Sequence, residues 1–342
     1  MLHRPHGMLF LCLSILCEID HVRFASAAIV TTGDTSQSYS GDGNATWNTG
    51  LSLLLIGNTS NGQLVISDGS DVFSALTSLG DNAGGVGTAS LSGEGSTLNG
   101  NTLEVGHLGE GHLELGQGAG VTYARVFFAY ESGSRGVGAI TGSQSVLTSG
   151  GQAWIGRHGN AAIDVLEGGR ISTGGIVLGR YADGSGMLRV HNGASGTNFG
   201  TAYIGLEGDG TLEVSQGGRY VSGSTDLGEE AGSSGAILVS DAGSSLQTTT
   251  THIGLYGTGS LSVANGGLVT SSTSYLGVGA GSQGTAVVSG PESAWILSCP
   301  FRDPHLLFWS STDEAFGFPL EGGDRWASVS ETRIRIRSGG AC

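Results

Sequence analysis

Between residues 50 and 296, apolar and polar positions alternate in short runs, and the same runs return every 49 residues or so. An aliphatic residue followed by glycine stands at Ile56-Gly57, Val105-Gly106, Ile155-Gly156, Ile204-Gly205 and Ile253-Gly254, in steps of 49, 50, 49 and 49. A second apolar position falls 23 residues after each, at Leu79, Phe128, Leu178, Leu227 and Leu276. Two aliphatics flank a variable residue in Leu64-Val65-Ile66, Leu113-Glu114-Leu115, Ile163-Asp164-Val165, Leu212-Glu213-Val214 and Leu261-Ser262-Val263. The other half of each unit carries Leu91, Ile140, Val190, Val239 and Val288, then a serine at Ser96, Ser145, Ser195, Ser244 and Ser293. The single extra residue falls between Ser145 and Ile155, in the loop Thr148-Ser149-Gly150-Gly151.

A charge held between two aliphatics means one buried face and one wet face, the period of a β-strand. Glycine at this density also opposes helix. The pattern predicts an all-β protein, a parallel β-helix (β-solenoid) of about ten rungs in five 49-residue repeats, with each unit making two turns of about 23 and 26 residues. At a strand spacing of about 4.8 Å, ten rungs make a rod about 50 Å long. Gly168-Gly169, Gly217-Gly218 and Gly266-Gly267 fall at corners that need positive φ or close backbone approach. The first two copies carry Gly69-Ser70 and Gly118-Ala119 instead, which predicts looser N-terminal rungs.

Composition sharpens this reading. Glycine supplies 64 of 342 residues and proline only 5, which suits tight turns between strands better than a disordered linker. Hydrophobic residues make up 38%, enough to fill a core. The net charge is −15, and every base is arginine. So acidic a surface excludes nucleic acid as a partner. The cysteines stand at 12, 17, 299 and 342, outside the repeats, which leaves no disulfide framework or cysteine–histidine zinc spacing within them.

Four segments follow. Residues 1–28 read as a signal peptide: Arg4 at the start, the apolar run Met8 to Cys17, and Ala25-Ser26-Ala27 before the cut, with Glu18, Asp20, His21 and Arg23 an unusually charged interval between. The apolar run is too short to span a bilayer, so no transmembrane segment is expected in the mature chain. Residues 29–49 form an N-terminal entry or cap, 50–296 the β-helix repeats, and 297–342 an irregular tail. Periodicity ends at that tail, which reads either as a cap over the last rung or as out-of-frame sequence.

The candidate chemistry is sparse. Glu114, Asp164 and Glu213 share one outward column at about 10 Å intervals if alternate rungs separate them, near the spacing of an inverting glycosidase pair. Val65 and Ser262 at the ends of that column favour a solvated stripe. His107 and His158 flank equivalent loops, while Asp81, Asp183 and Glu229-Glu230 lie near the second corner without completing a calcium ligand set. No catalytic residues, metal ligands or cofactor are assigned. Val126-Phe127-Phe128-Ala129-Tyr130 replaces one aliphatic-glycine corner with aromatics that either protrude or pack between rungs. Thr248 to Thr251 suggests a threonine ladder that other copies do not repeat.

The unit Ile-Gly…Gly-x-Leu-x-Val-x-x-Gly-Gly-x-Val…Leu-Gly…Val-Ser-Gly-x-x-Ser-x-Trp resembles the repeat of bacterial autotransporter (type V secretion) passengers and of some PEP-CTERM-sorted surface proteins, over about residues 50 to 296. The resemblance implies a Gram-negative protein exported and displayed outside the cell. The 46 residues after the repeats do not hold the ten or more alternating strands of a membrane barrel, so the expected location is the cell surface or exterior, or the periplasm if the barrel is truly missing. The expected function is a non-enzymatic exported surface module of adhesin type. A polysaccharide-active β-helix enzyme and a calcium-binding solenoid are the alternatives. Expected partners are a host surface, matrix or glycan, with self-association through exposed solenoid ends.

Overall fold

The computed structural model describes residues 29–41 and 45–297, and the backbone of three short strands beyond them. The leader and most of the tail lie outside the described residues. Every regular element described is a strand, and no helix among them is long and apolar enough to cross a membrane.

The chain is a parallel β-solenoid built from two sheets of 14 and 13 strands. Each coil contributes one short strand to the first sheet, such as Asp209–Val214, and one longer strand to the second, such as Arg219–Leu227. From Asn61–Ile66 to Gln283–Ser289 the first sheet is parallel throughout, and each strand skips over the second sheet before returning. The short run Leu64, Ala89, Leu113, Gly138, Ile163 stacks in register, with steps of 24 or 25 residues. A coil is therefore half of the 49-residue unit, and both halves of a unit occupy the same columns.

That register explains the alternation. Inward positions form four apolar columns that close the core: Leu212 and Val214 in the short strand, Tyr220 and Leu227 in the long strand, and their equivalents above and below. Burying each aliphatic contributes roughly 1.5–3 kcal/mol, available only because neighbouring coils cover it. Among the aromatics in this narrow core, three sit against a glycine. A Cβ on Gly100 would sit 2.6 Å from the Tyr123 ring, one on Gly138 3.0 Å from Phe128, and one on Gly196 2.4 Å from Tyr220. Small faces large across adjacent coils, so the rod keeps its width.

The corners divide the glycine pairs into two jobs. Gly217 has φ +78° with open space around it, whereas Gly218 has ordinary φ but lies where a Cβ would meet the Val190 carbonyl oxygen at 2.1 Å. Gly168-Gly169 and Gly266-Gly267 divide the same way, with a Cβ contact of 3.5 and 3.3 Å at the first glycine against 2.3 and 2.4 Å at the second. The equivalents of Gly218 in the first copies, Ser70 and Ala119, are fully buried, so these corners make the same bend without a second glycine. In alternate coils that position holds a serine. Ser244 Oγ accepts from Gly217 N at 2.9 Å one coil earlier, and Ser96, Ser145 and Ser293 make the same stitch. The third copy departs from the serine column read in the sequence. Its buried corner residue is Ala194, and Ser195 already begins the next strand, because the turn is one residue shorter and the strand one longer. The extra residue of the second copy is a bulge between Ser149 and Gln152, inside the Thr148–Gly151 region or beside it.

The N-terminal edge is covered. Ile29–Gly33 pairs antiparallel with Asn61–Ile66 and with Ser40–Gly41, burying Ile29, while Tyr39 stacks on Trp47 at 4.9 Å. At the other end Trp326–Ser330 and Ile334–Ile336 pair in parallel with the last strands of the two sheets. Thr248, considered above as part of a surface ladder, belongs instead to a buried polar column. Its hydroxyl accepts from Thr225 at 3.3 Å and donates to the Thr250 carbonyl at 3.0 Å where the long strand bends.

Candidate functional site

The aliphatic-glycine corner sets the geometry of the outer surface. At Gly205, φ is +74° and a Cβ would meet the Ser234 carbonyl oxygen of the next coil at 2.0 Å. Gly57, Gly106, Gly156 and Gly254 share this left-handed conformation, each packed against the following coil, behind the buried Ile56, Val105, Ile155 and Ile253. Ile204 is likewise buried. These repeat residues are scaffold. They aim the residue before each aliphatic, and the residue after each glycine, out of the rod in two adjacent stripes.

At one corner the glycine rule is relaxed. Ala129 takes the corner position at φ +53°, and Ala161 takes the close-approach position that is glycine at Gly136 and Gly186 on either side. The two alanines fall at the same inter-coil step, where Gly159 N reaches the Ala129 carbonyl at 3.3 Å. Beside them the stripes carry aromatics and arginines around an open cleft of about 500 Å³. Phe127 and Trp154 stack with centroids 4.5 Å apart and planes within 4°, and Tyr130 meets Phe127 edge-on at 4.9 Å. The Arg157 guanidinium lies 4.1 Å over Tyr130 and 5.3 Å from Tyr181, while Arg180 lies 4.8 Å over Tyr181. Arg125 and Tyr203 complete the wall. Residues 29–296 contain seven arginines, and three of them converge here. Arg180 Nη1 donates to Glu207 at 2.8 Å and Arg157 Nη1 to the Tyr130 carbonyl at 3.2 Å, so both guanidinium groups are held in place, and their remaining N–H donors are available to a ligand.

Glu229 lines the far side of the cleft. Burial, then the charges of Asp226 and Glu230, push its carboxyl up to about 7, partly offset by His252, and its Oε2 is buried without a hydrogen-bond partner. Asp226 accepts from His252 Nδ1–H at 2.6 Å, and His252 stacks on Tyr275 at 5.0 Å. On the near side, His158 Nδ1 pairs with Asp183 at 2.8 Å and stacks on Tyr181 at 4.1 Å. That hydrogen bond is the main reason the Asp183 carboxyl is held below its usual range.

Further toward the N-terminus, Asp81, Glu104 and His107 come together. His107 Nδ1 lies 3.1 Å from Asp81 and 3.5 Å from Glu104, and burial raises the Glu104 carboxyl, with His107 the largest opposing influence. Read against a 49-residue period, Asp81 and His107 fall out of register. Read by coil they follow Gly80 and Gly106 and occupy one column.

The acidic column behaves differently from a catalytic pair. Ala139 separates Glu114 from Asp164, and Arg189 separates Asp164 from Glu213. Arg189 donates through Nε and Nη2 to both Asp164 oxygens, the second bond at 2.8 Å, while Ser90 donates to Glu114 at 3.0 Å. The three carboxylates do not converge, and the central one is paired. The aromatic corner at 126–130 divides as well: Phe128 is fully buried, whereas Phe127 and Tyr130 join the outer stripes.

Trp154, Arg157, Arg180, Tyr181 and Tyr203 were absent from the sequence-based candidates. Their signal is positional: each lies within three residues of a corner glycine, on the outward side of its aliphatic. Comparisons with protein families, with characterised proteins and with solved structures returned no match. Fold and cleft together therefore define the class: a parallel β-solenoid with a groove lined by arginines and aromatic rings on one side.

Proposed function

We propose that the chain is an exported, surface-displayed rod that acts by binding, with the groove around Trp154 as its contact surface. The observation carrying this reading is the concentration of positioned arginines and ring faces on an otherwise acidic molecule. Guanidinium groups recognise carboxylates and sulfates through paired N–H donors. Flat, partly exposed rings offer the apolar, electron-rich faces on which the C–H faces of sugars rest. An acidic glycan of a host surface or matrix meets both requirements. The leader pattern and the autotransporter-like repeat support export and display. Binding of uronate- or sulfate-bearing oligosaccharides to the full chain, followed by tryptophan fluorescence, tests the reading. Trp154→Ala and Arg157→Gln should each weaken binding at least tenfold without changing the unfolding midpoint comparably. Equal binding by neutral oligosaccharides, or none by either kind, would refute it. N-terminal sequencing of the exported protein, with protease accessibility on intact cells, tests display.

One observation favours a second reading, a polysaccharide-active enzyme. Glu229 borders the groove with its pKa near 7, the state required of a general acid. Release of reducing ends from acidic polysaccharides, abolished in Glu229→Gln, would replace binding with turnover. Binding without release would remove this alternative.

A further inference from the structure

A second site is built into the same outer stripes, two coils away from the groove's tryptophan. Ser78-Leu79-Gly80-Asp81 and Glu104-Val105-Gly106-His107 are adjacent coils of one corner, with Ser78 in register with Glu104. The left-handed glycine of each corner turns the chain so that residues three apart meet on the outside, as Glu104 and His107 do at 3.5 Å. Asp81 and Glu104 both converge on a single atom, His107 Nδ1. That nitrogen carries at most one hydrogen, so it can satisfy only one of two carboxylates. The ligand atoms of Asp81, Glu104 and His107 all lie within 4.8 Å of one another. Atoms bound to a tetrahedral ion at bonds of about 2.0–2.1 Å lie roughly 3.3 Å apart, so small side-chain movements would bring them to one centre.

An independent feature points the same way. Ser78 is fully buried and its Oγ has no hydrogen-bond partner. It stands one strand spacing from Glu104 on the same face and three residues before Asp81. A buried hydroxyl without a partner is costly, and a water completing an ion's coordination shell would satisfy it. The surroundings tolerate a cation: Arg157, whose charge is felt by Glu104, is engaged by Tyr130 and lies 3.8 Å from Glu131. The Tyr130 ring meets His107 edge-on at 5.1 Å and restrains its orientation.

We propose that Asp81, Glu104 and His107 bind a divalent transition-metal ion of the zinc type, with Ser78 holding the coordinated water. One imidazole and two carboxylates suit such an ion, whereas calcium takes six to eight oxygens. Binding would replace the proton on His107 Nδ1 and clamp two successive coils.

The test is zinc titration of the purified full chain by calorimetry, with calcium and magnesium as comparators. Wild type should bind one more zinc ion than His107→Gln, and should melt at higher temperature in zinc by an increment that His107→Gln and Glu104→Gln both lack. His158→Gln, which alters a histidine–aspartate pair without a second carboxylate, should keep the full stoichiometry and increment. Ser78→Ala should weaken the site roughly 10- to 100-fold, as loss of an outer-shell partner does. Circular dichroism confirms that each variant is folded. Equal zinc binding by wild type and both His107→Gln and Glu104→Gln would overturn the proposal, as would calcium binding there in preference to zinc.

Discussion

Gly205→Ala and Gly217→Ala form a matched pair that separates two reasons for glycine. Both residues have positive φ, +74° and +78°, so both alanines carry the left-handed penalty of about 1–2 kcal/mol. At Gly217 the new methyl finds its nearest atom at 3.9 Å, and the cost ends there. At Gly205 it falls 2.0 Å from the Ser234 carbonyl oxygen and 2.5 Å from its carbon. Both are backbone of the next coil, which cannot rotate away, so the coils must part. Overpacking of that kind adds about 1–3 kcal/mol, giving a total of about 2–5 kcal/mol at Gly205 against 1–2 at Gly217. Urea unfolding followed by far-ultraviolet circular dichroism should show a midpoint shift for Gly205→Ala at least about 1.5 times that for Gly217→Ala. Long repeat arrays lose two-state cooperativity, so midpoints rather than extrapolated free energies are compared. Equal shifts would refute the assignment of inter-coil contact to the aliphatic-glycine column. The native Ala129 shows what accommodation requires, since the residue opposite it in the next coil also departs from glycine, at Ala161.

Two further outcomes are expected. The Glu229 carboxyl has a folded pKa raised from 4.5 to about 7, so folding favours its protonated form; stability conferred at low pH is lost as pH rises through that interval and is level above it. Glu229→Gln should leave the unfolding midpoint unchanged at pH 4 and raise it at pH 8, and an equal effect at both would show that the carboxyl is not perturbed. Ser244→Ala removes the acceptor for Gly217 N and the stitch between two coils. Leaving a half-buried donor unpaired falls at the low end of about 1–3 kcal/mol, so the midpoint should fall by a matching amount, while Ser195→Ala, outside the corner column, should change it little.

Much of the fold was legible because its columns are chemically narrow. Leu212 and Val214 around Glu213 can only be a strand with one wet face, and five copies fix the period. The coil itself was harder to see, because its two halves differ in corner chemistry: Gly217-Gly218 in one coil and Asp241-Ala242-Gly243-Ser244 in the next make the same bend. Comparing units rather than coils placed Asp81 away from His107, misassigned Ser195 to the serine column and left Arg189 out of the acidic stripe. The groove was less legible still. Outward positions carry no recurrent residue type, so Trp154, Arg157 and Tyr203 resemble ordinary surface variation until the two-stripe geometry brings them together. Phe127 and Phe128 were visible as a break in pattern, but only the register shows that one faces the core and the other the groove.

The central claim is that every coil advances the chain by one strand spacing, so that outward residues 24 or 25 apart form a straight column. Ser90, Glu114, Ala139, Asp164, Arg189 and Glu213 are successive members of one column, and Leu238 and Ser262 follow. Nitroxide labels on cysteines introduced at these positions, with the native cysteines replaced by serine, report the spacing by pulsed electron resonance. At about 4.8 Å per coil, the Ser90–Glu213 pair spans five coils and should centre near 24 Å. The Ser90–Ser262 pair spans seven and should centre near 34 Å. A Ser90–Ser262 distance equal to or shorter than that of Ser90–Glu213 would contradict the rod.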